Sequence, residues 1–255
     1  LDILFSLAQF YEGEDRIADA MRVVRQALRI GADPVRCGQV LAALALLVDD
    51  QAEAVLQLEQ VITACRQAGK IDEANRGRRQ LLMIEPGRCS VALEYANHLA
   101  ESGDEAGRKE AVELLHRALA VDDRSSSEEV DIAIRQLLVS LDPHDVTSHQ
   151  WLAKVYQKRR DREGATDQLA KLADTQERDG DRPGAIITIR RLLDLGGDQP
   201  ETWRRLARLL DAEGLLTDSA QAWLAGIDGL QDSGDSDRAV AWAQEAVRAQ
   251  STNYR

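Results

Sequence analysis

The stretch WLAKVYQKRRDREGATDQLAKL, residues 151–172, returns in outline as WRRLARLLDAEGLLTDSAQAWL, residues 203–224. In both stretches apolar residues recur every three or four positions, which is the period of an amphipathic helix. The step from Leu152 to its equivalent Leu206, about 54 residues, lies above the usual length of a two-helix repeat. A fixed period of this kind indicates an array of helical units, each of which buries its apolar side against its neighbours.

Proline and glycine divide the rest of the chain at similar intervals. Four prolines recur at nearly constant steps, and each fits the start of a helix, where a missing N–H costs nothing: Pro34, Pro86, Pro143 and Pro200. Three turn glycines suit the left-handed conformation that ends a helix, and each precedes an alanine that allows close helix packing: Gly69 with Ala74, Gly180 with Ala185, and Gly234 with Ala239.

These signals predict an all-α chain of fourteen helices. They predict one array over residues 1–255, with a loop or a hinge at residues 122–127. The predicted helices span residues 1–12, 15–31, 34–48, 51–68, 70–85, 88–102, 107–121, 127–141, 145–159, 162–178, 182–195, 199–213, 216–232 and 236–250.

Composition argues against several classes of protein. The net charge is −12 over 255 residues and the pI is about 4.9, the opposite of what nucleic-acid binding favours. The longest strongly apolar run, residues 40–48, is too short to cross a bilayer, so we expect no membrane insertion. The odd set of Cys37, Cys65 and Cys89 forms no CxxC pair, which favours free thiols in a reducing compartment such as the cytoplasm.

The apolar positions also resemble a known repeat. The first two predicted helices place seven residues in the order and spacing of the tetratricopeptide repeat (TPR) family: Leu4, Leu7, Ala8, Tyr11, Ala20, Val24 and Ala27. Tyr95 and Tyr156 match later units, and Cys65 occupies an aromatic position that predicts burial. The resemblance covers nearly the whole chain and implies a right-handed α-solenoid of antiparallel helices that binds proteins or peptides.

The chain departs from that family in its repeat length. TPR helices alternate in pairs of about 34 residues, whereas the step of about 54 residues here predicts a three-helix super-repeat. An odd number of helices per unit means that simple alternation does not identify the helices that line a concave face.

The sequence contains no motif of catalysis, metal binding or phosphate binding. The four histidines form no HExxH pair, and no GxGxxG or GxxxxGK[ST] segment occurs. We therefore expect no enzyme activity, no metal and no cofactor. The four tryptophans lie at helical spacing, which favours core packing over a ligand cage: Trp151, Trp203, Trp223 and Trp242.

The twelve predicted helices that follow the first two form four triplets. Four cations recur on the first helices of the last two triplets, residues 145–159 and 199–213: Lys154, Lys158, Arg204 and Arg208. Lys154 and Arg208 are one repeat step apart and so occupy equivalent places. One interpretation is a solvated helix face with partners such as Glu201 and Asp211. The other is a docking strip for an acidic or C-terminal peptide, although the asparagines of TPR carboxylate clamps are missing.

The sequence thus predicts a protein-interaction scaffold in a multiprotein assembly. A peptide- or ligand-sensing regulatory module, attached to an effector domain outside this stretch, is the alternative. The chain starts at Leu1 without Met and is apolar on two sides of its first helix, including Ile3 and Phe10. We expect further repeats, or another subunit in end-to-end self-association, to cover both ends.

Overall fold

The computed structural model describes residues 2–121, 126–196 and 199–253, with side chains up to residue 249. The described residues form fourteen α-helices and no strand. In chain order the helices are α1 Asp2–Gly13, α2 Ile17–Arg29, α3 Pro34–Leu47, α4 Gln51–Gln67, α5 Ile71–Ile84, α6 Cys89–Glu101, α7 Glu105–Leu119, α8 Glu128–Leu141, α9 Val146–Lys158, α10 Arg162–Arg178, α11 Arg182–Asp194, α12 Pro200–Ala212, α13 Leu216–Asp232 and α14 Ser236–Asn253.

The all-α prediction is confirmed, and the predicted helix bounds lie close to the observed ones throughout. The helices of the last two triplets begin at equivalent residues of the repeat: α9 and α12, α10 and α13, and α11 and α14. The chain divides into two compact units, Leu1–Ile134 and Arg135–Arg255. Most of the loop or hinge predicted at residues 122–127 lies outside the described residues.

Local capping explains why the helices begin and end where they do. The side chain of Asp50 accepts a hydrogen bond from the backbone N–H of Glu53 at 3.0 Å, which satisfies a donor that the first turn of α4 leaves free. Asp33, Asp104, Asp145, Asp161 and Asp181 cap other helices in the same way. At the other ends, Gly69 and Gly180 have φ of 70° and 79°, the left-handed conformation predicted from the sequence.

Consecutive helices approach closely because small residues lie between them. Ala74, Ala165 and Ala185 are fully buried, as the turn spacing predicts, and Ala239 is 2% exposed. Gly38 on α3 is tighter still, because a Cβ atom there would lie 2.5 Å from Cγ2 of Val61 on α4. These contacts fix the separation of the helices within each pair.

The burial predicted for Cys65 is confirmed. All three cysteines are buried and form no disulfide, and burial raises the pKa of the Cys37 and Cys65 thiols. Trp223 and Trp242 belong to the core of the second unit. Trp151 and Trp203 are half-buried, and Trp203 packs against that core.

We predict that Gly38→Ala destabilises the protein by about 1–3 kcal/mol, since the new methyl group overpacks the contact with Val61. Gly13→Ala is the matched control: Gly13 is also helical and has no positive φ, but nothing lies within 4 Å of its Cβ position. Urea denaturation of both variants measures the difference. Equal stability of the two variants would contradict the close approach of α3 and α4.

Candidate functional site

Three grooves of the described residues share one construction. Each is lined by the third helix of one triplet and by the first two helices of the next. Groove A, in the first unit, lies among α5, α6 and α7 and has a volume of about 320 Å³. Groove B, in the second unit, lies among residues of α8, α9 and α10 and measures about 630 Å³. Groove C, also in the second unit, lies among α11, α12 and α13 and measures about 460 Å³.

The lining of grooves B and C follows the repeat step of the sequence. Most residues that line groove B have a counterpart one repeat step later that lines groove C. The pairs are Gln136 and Arg190, Val139 and Leu193, Ser140 and Asp194, His149 and Trp203, Tyr156 and Leu210, Gly164 and Asp218, Asp167 and Gln221, Gln168 and Ala222, and Lys171 and Ala225.

Groove A corresponds to groove B in the same manner, one triplet earlier in the chain. The shared lining positions are Arg79 and Gln136, Leu82 and Val139, Met83 and Ser140, Glu110 and Asp167, Leu114 and Lys171, and Arg117 and Asp174. The groove is therefore a property of equivalent places in the chain, and the three examples differ in the side chains that occupy those places.

At one of these equivalent lining positions, the residue differs in charge between the grooves. In groove A, Arg79 of α5 lies 3.6 Å from a carboxylate oxygen of Glu110 on α7. In groove C, Arg190 of α11 pairs with Asp218 of α13 at 2.5 Å. In groove B the equivalent residue is Gln136, which donates a hydrogen bond to the hydroxyl of Tyr156 at 2.7 Å. Grooves A and C are thus spanned by an arginine ion pair, whereas groove B has a neutral amide at that place.

His149 gives groove B a buried polar group. The residue lines the groove but is only 2% exposed. Its Nδ1 lies 3.1 Å from Oε1 of Gln168, whose Nε2 donates to Oδ2 of Asp167. Nε2 of the ring is buried, and no described atom forms a hydrogen bond with it. Burial lowers the pKa of His149, against the opposing effects of Gln168 and of the Pro143 carbonyl.

The α10 wall of groove B has carboxylates with unused acceptor capacity. Oδ2 of Asp167 accepts from Lys171 at 2.7 Å and from Gln168 at 3.3 Å. Among the residues described, Oδ1 of Asp167 has no hydrogen-bond donor. Asp174, one turn beyond Lys171, pairs with Arg205 of α12 at 2.6 Å. A donor in groove B would therefore find its open acceptor at Asp167.

The predicted cations divide into two pairs. Lys154 and Lys158 lie exposed on α9, and neither lines groove B. Arg204 and Arg208 lie together on α12 and share one carboxylate, that of Glu245 on α14, with closest distances of 2.6 Å from each guanidinium. Both arginines line a shallow depression of about 260 Å³ that also contains Arg205. We call this surface the arginine depression.

The carboxylate partners differ from those that the sequence suggested. Glu201 pairs with Arg238 of α14 at 2.5 Å, and buried Asp211 accepts hydrogen bonds from Ser219 and Trp223. Burial alone would raise the pKa of Glu245, but the hydrogen bonds from Arg204 and Arg208 outweigh it, and the pKa is lowered. The carboxylate that pairs with Arg204 and Arg208 therefore lies on a different helix, α14, and not one turn away on α12.

Sequence reasoning missed groove B and its residues. Gln136, His149 and Asp167 belong to no motif, and each has an ordinary surface or core explanation by itself. A signal was present nevertheless: when the units are aligned at the repeat steps, position 136 is the only neutral residue in the series Arg79, Gln136 and Arg190.

The described ranges contain neither a metal-type cluster of side chains nor a membrane-spanning helix. No group of three or more His, Cys, Asp or Glu side chains is placed to hold a metal ion. None of the described helices has the length and apolar character needed to traverse a bilayer.

Comparison with known proteins gives structural neighbours only. No protein-family model matches the chain, and no curated protein sequence matches it. Solved structures similar to it include PilF of Pseudomonas aeruginosa, at 21% identity over 78% of this chain and 92% of that chain, with a TM-score of 0.31. The C-terminal part of a TPR repeat-containing protein from Cytophaga hutchinsonii is 12% identical over 93% and 98% of the two chains, with a TM-score of 0.35.

A third neighbour is the TPR2AB domain of yeast Sti1, solved in a complex with pHSP90. It is 12% identical over 98% of both chains, with a TM-score of 0.29. These neighbours include proteins of the TPR family that the sequence resembles. TM-scores of this size transfer no partner and no activity to the present chain.

His149 predicts a specific dependence of stability on pH. Its pKa is lowered in the folded protein, so the unfolded state binds the proton more tightly, and the free energy of unfolding falls as the pH drops below about 6.5. His149→Gln removes this proton while it keeps a polar side chain next to Gln168. We expect the variant to gain stability relative to the wild type between pH 7.5 and 5.5, by up to about 1.4 kcal/mol for each pH unit.

Denaturant titrations at several pH values measure this difference. Because the other histidines and the nearby charges Asp145 and Lys171 are present in both proteins, their common contribution cancels. Parallel pH profiles for the two proteins would contradict the shifted titration of His149.

Proposed function

We propose that the chain is a non-catalytic protein-interaction scaffold within a multiprotein assembly. The observation that supports this most directly is the recurrence of one groove at three equivalent places, with a different set of side chains in each. An array that repeats a surface and varies its chemistry is suited to binding extended partners. The exposed apolar side chains of Ile3 and Phe10 on α1 support a further protein surface that covers this helix.

The proposed docking surface for an acidic partner segment comprises Lys154, Lys158, Arg204 and Arg208. Arg208 is exposed and Arg204 is half-buried, so a partner can reach both guanidinium groups from solvent. Each is already paired with Glu245, and a partner carboxylate must therefore share or replace that internal one. Because the partner carboxylate takes over the same ion pairs, and the pair at exposed Arg208 contributes at most about 1 kcal/mol, such an exchange costs little.

This competition gives a test with two opposite outcomes. Arg204→Glu combined with Arg208→Glu should weaken binding of a fluorescein-labelled oligoglutamate peptide, because the surface then repels it. Glu245→Gln should strengthen binding, because it frees both arginines and leaves the α14 backbone unchanged. Fluorescence anisotropy measures both effects, and the affinity of the wild type should fall as salt rises, since exposed charges are screened over about 10 Å at 0.1 M.

Lys109→Glu is a matched control. Lys109 is an exposed cation of α7 in the first unit and pairs with Glu105 of its own helix. Its reversal changes the net charge without touching the proposed surface and should leave peptide binding nearly unchanged. If Glu245→Gln does not strengthen binding, or if the double reversal has no greater effect than Lys109→Glu, the proposed docking surface is wrong.

A further inference from the structure

We propose that groove B binds an extended protein segment by one of its arginine side chains, which takes the place that Arg79 and Arg190 occupy in grooves A and C. The chain itself leaves this place open. This surface is separate from the arginine depression, and the proposal does not depend on binding of an acidic partner there.

Comparison of the three grooves supports an occupant from outside the chain. Groove B is the largest of the three and has Gln136 where the others have arginine. It also lacks the acidic partner that groove C places on its second helix. That position is Gly164, where a Cβ atom would lie 2.6 Å from Oδ2 of Asp161 and 3.2 Å from Cγ of Tyr156. Groove B therefore has space and lacks the arginine ion pair; the ion pair that it does contain joins Lys171 and Asp167 along α10.

The acceptor that pairs with arginine in groove A is retained in groove B. Asp167 is the counterpart of Glu110, the residue that faces Arg79. Lys171 and Gln168 both donate to Oδ2 of Asp167, and Oδ1 accepts no hydrogen bond from the described residues. A carboxylate accepts several hydrogen bonds, so Asp167 can receive a guanidinium without losing Lys171.

His149 supplies a second, independent indication of a missing partner. Its Nε2 is buried in the lining of groove B and has no hydrogen-bond partner among the described atoms. A buried polar atom without a partner is unfavourable, so a ligand whose polar groups reach this ring reduces that cost. A guanidinium has five N–H donors and no acceptor, which matches the open acceptor at Oδ1 of Asp167.

The length of the groove favours a protein segment over a small cation. The α10 wall runs from Gly164 to Arg178, about 21 Å at a rise of about 1.5 Å per residue. That length accommodates about six residues of extended chain. Polar side chains continue along this wall to Arg178, which donates to the Asp174 carbonyl and to the hydroxyl of Thr175.

The test uses a fluorescein-labelled glycine–serine peptide with one central arginine, and the same peptide with citrulline, which has the same shape without the charge. The wild type should bind the arginine peptide at least about tenfold more tightly in anisotropy titrations, as expected when a charge-assisted hydrogen bond is lost. Asp167→Asn should abolish this preference. Equal affinity for the two peptides in the wild type would overturn the proposal.

Two charge-exchange variants make the test specific to the vacant arginine place. Gln136→Arg restores the internal arginine, so it should abolish peptide binding and leave the melting temperature unchanged or raised. Gln136→Leu is its control: it removes the amide without supplying a guanidinium and should keep the preference for arginine. Loss of binding in both variants, or in neither, would overturn the proposal.

A further variant creates the same vacant arginine place in groove C. Arg190→Gln removes the guanidinium from groove C and leaves Asp218 unpaired there. Titration should then show a second binding site for the arginine peptide, whereas the wild type has one. A single site in both proteins would show that the vacant arginine place is not what binds the peptide. Because the probe is cationic and Arg204 and Arg208 are unchanged, either result is independent of the proposed acidic docking surface.

Discussion

The structure depends on the close approach of neighbouring helices at very small side chains. Gly38 against Val61 leaves no room for a methyl group, and alanines such as Ala74 and Ala185 are completely buried. A short helix is marginal in water by itself, and most of its stability comes from packing its apolar face against neighbours. The small residues therefore set how near the helices come and, through that distance, how much apolar surface each pair removes from water.

The grooves lie where that tight packing ends. Within a pair, small residues bring the helices together and fill the interface. Where the third helix of one triplet meets the next pair, long polar side chains span the remaining space, as Arg79 and Arg190 do. Changes at such positions cost little stability, since exposed ion pairs contribute at most about 1 kcal/mol, whereas changes in a close-packed core cost several times more. Equivalent groove positions can therefore diverge while the packing stays the same.

Most of the helical architecture could be predicted from sequence because its signals are local. The helical period of the apolar residues places the helices, and residues such as Pro34, Asp50 and Gly180 fix their ends through backbone chemistry within one turn. The partners of the predicted site residues are not local. Glu245 is 41 residues from Arg204 and 37 from Arg208, so only the packing of α14 against its neighbours brings them together. Pattern analysis found the cations but not the carboxylate that holds them.

The same distinction explains why His149 and Gln136 went unnoticed. Each is ordinary by itself, and its meaning comes from comparison with the equivalent residue in another unit. At the place of His149 the next unit has Trp203, and at the place of Gln136 it has Arg190. Groove B thus has a buried imidazole where groove C has a half-buried aromatic ring, and an amide where groove C has a cation. Both differences change the chemistry of the groove. In a repeat array, the departures from the repeat are therefore more informative about binding than the residues that conform to it, because the conforming residues are accounted for by packing.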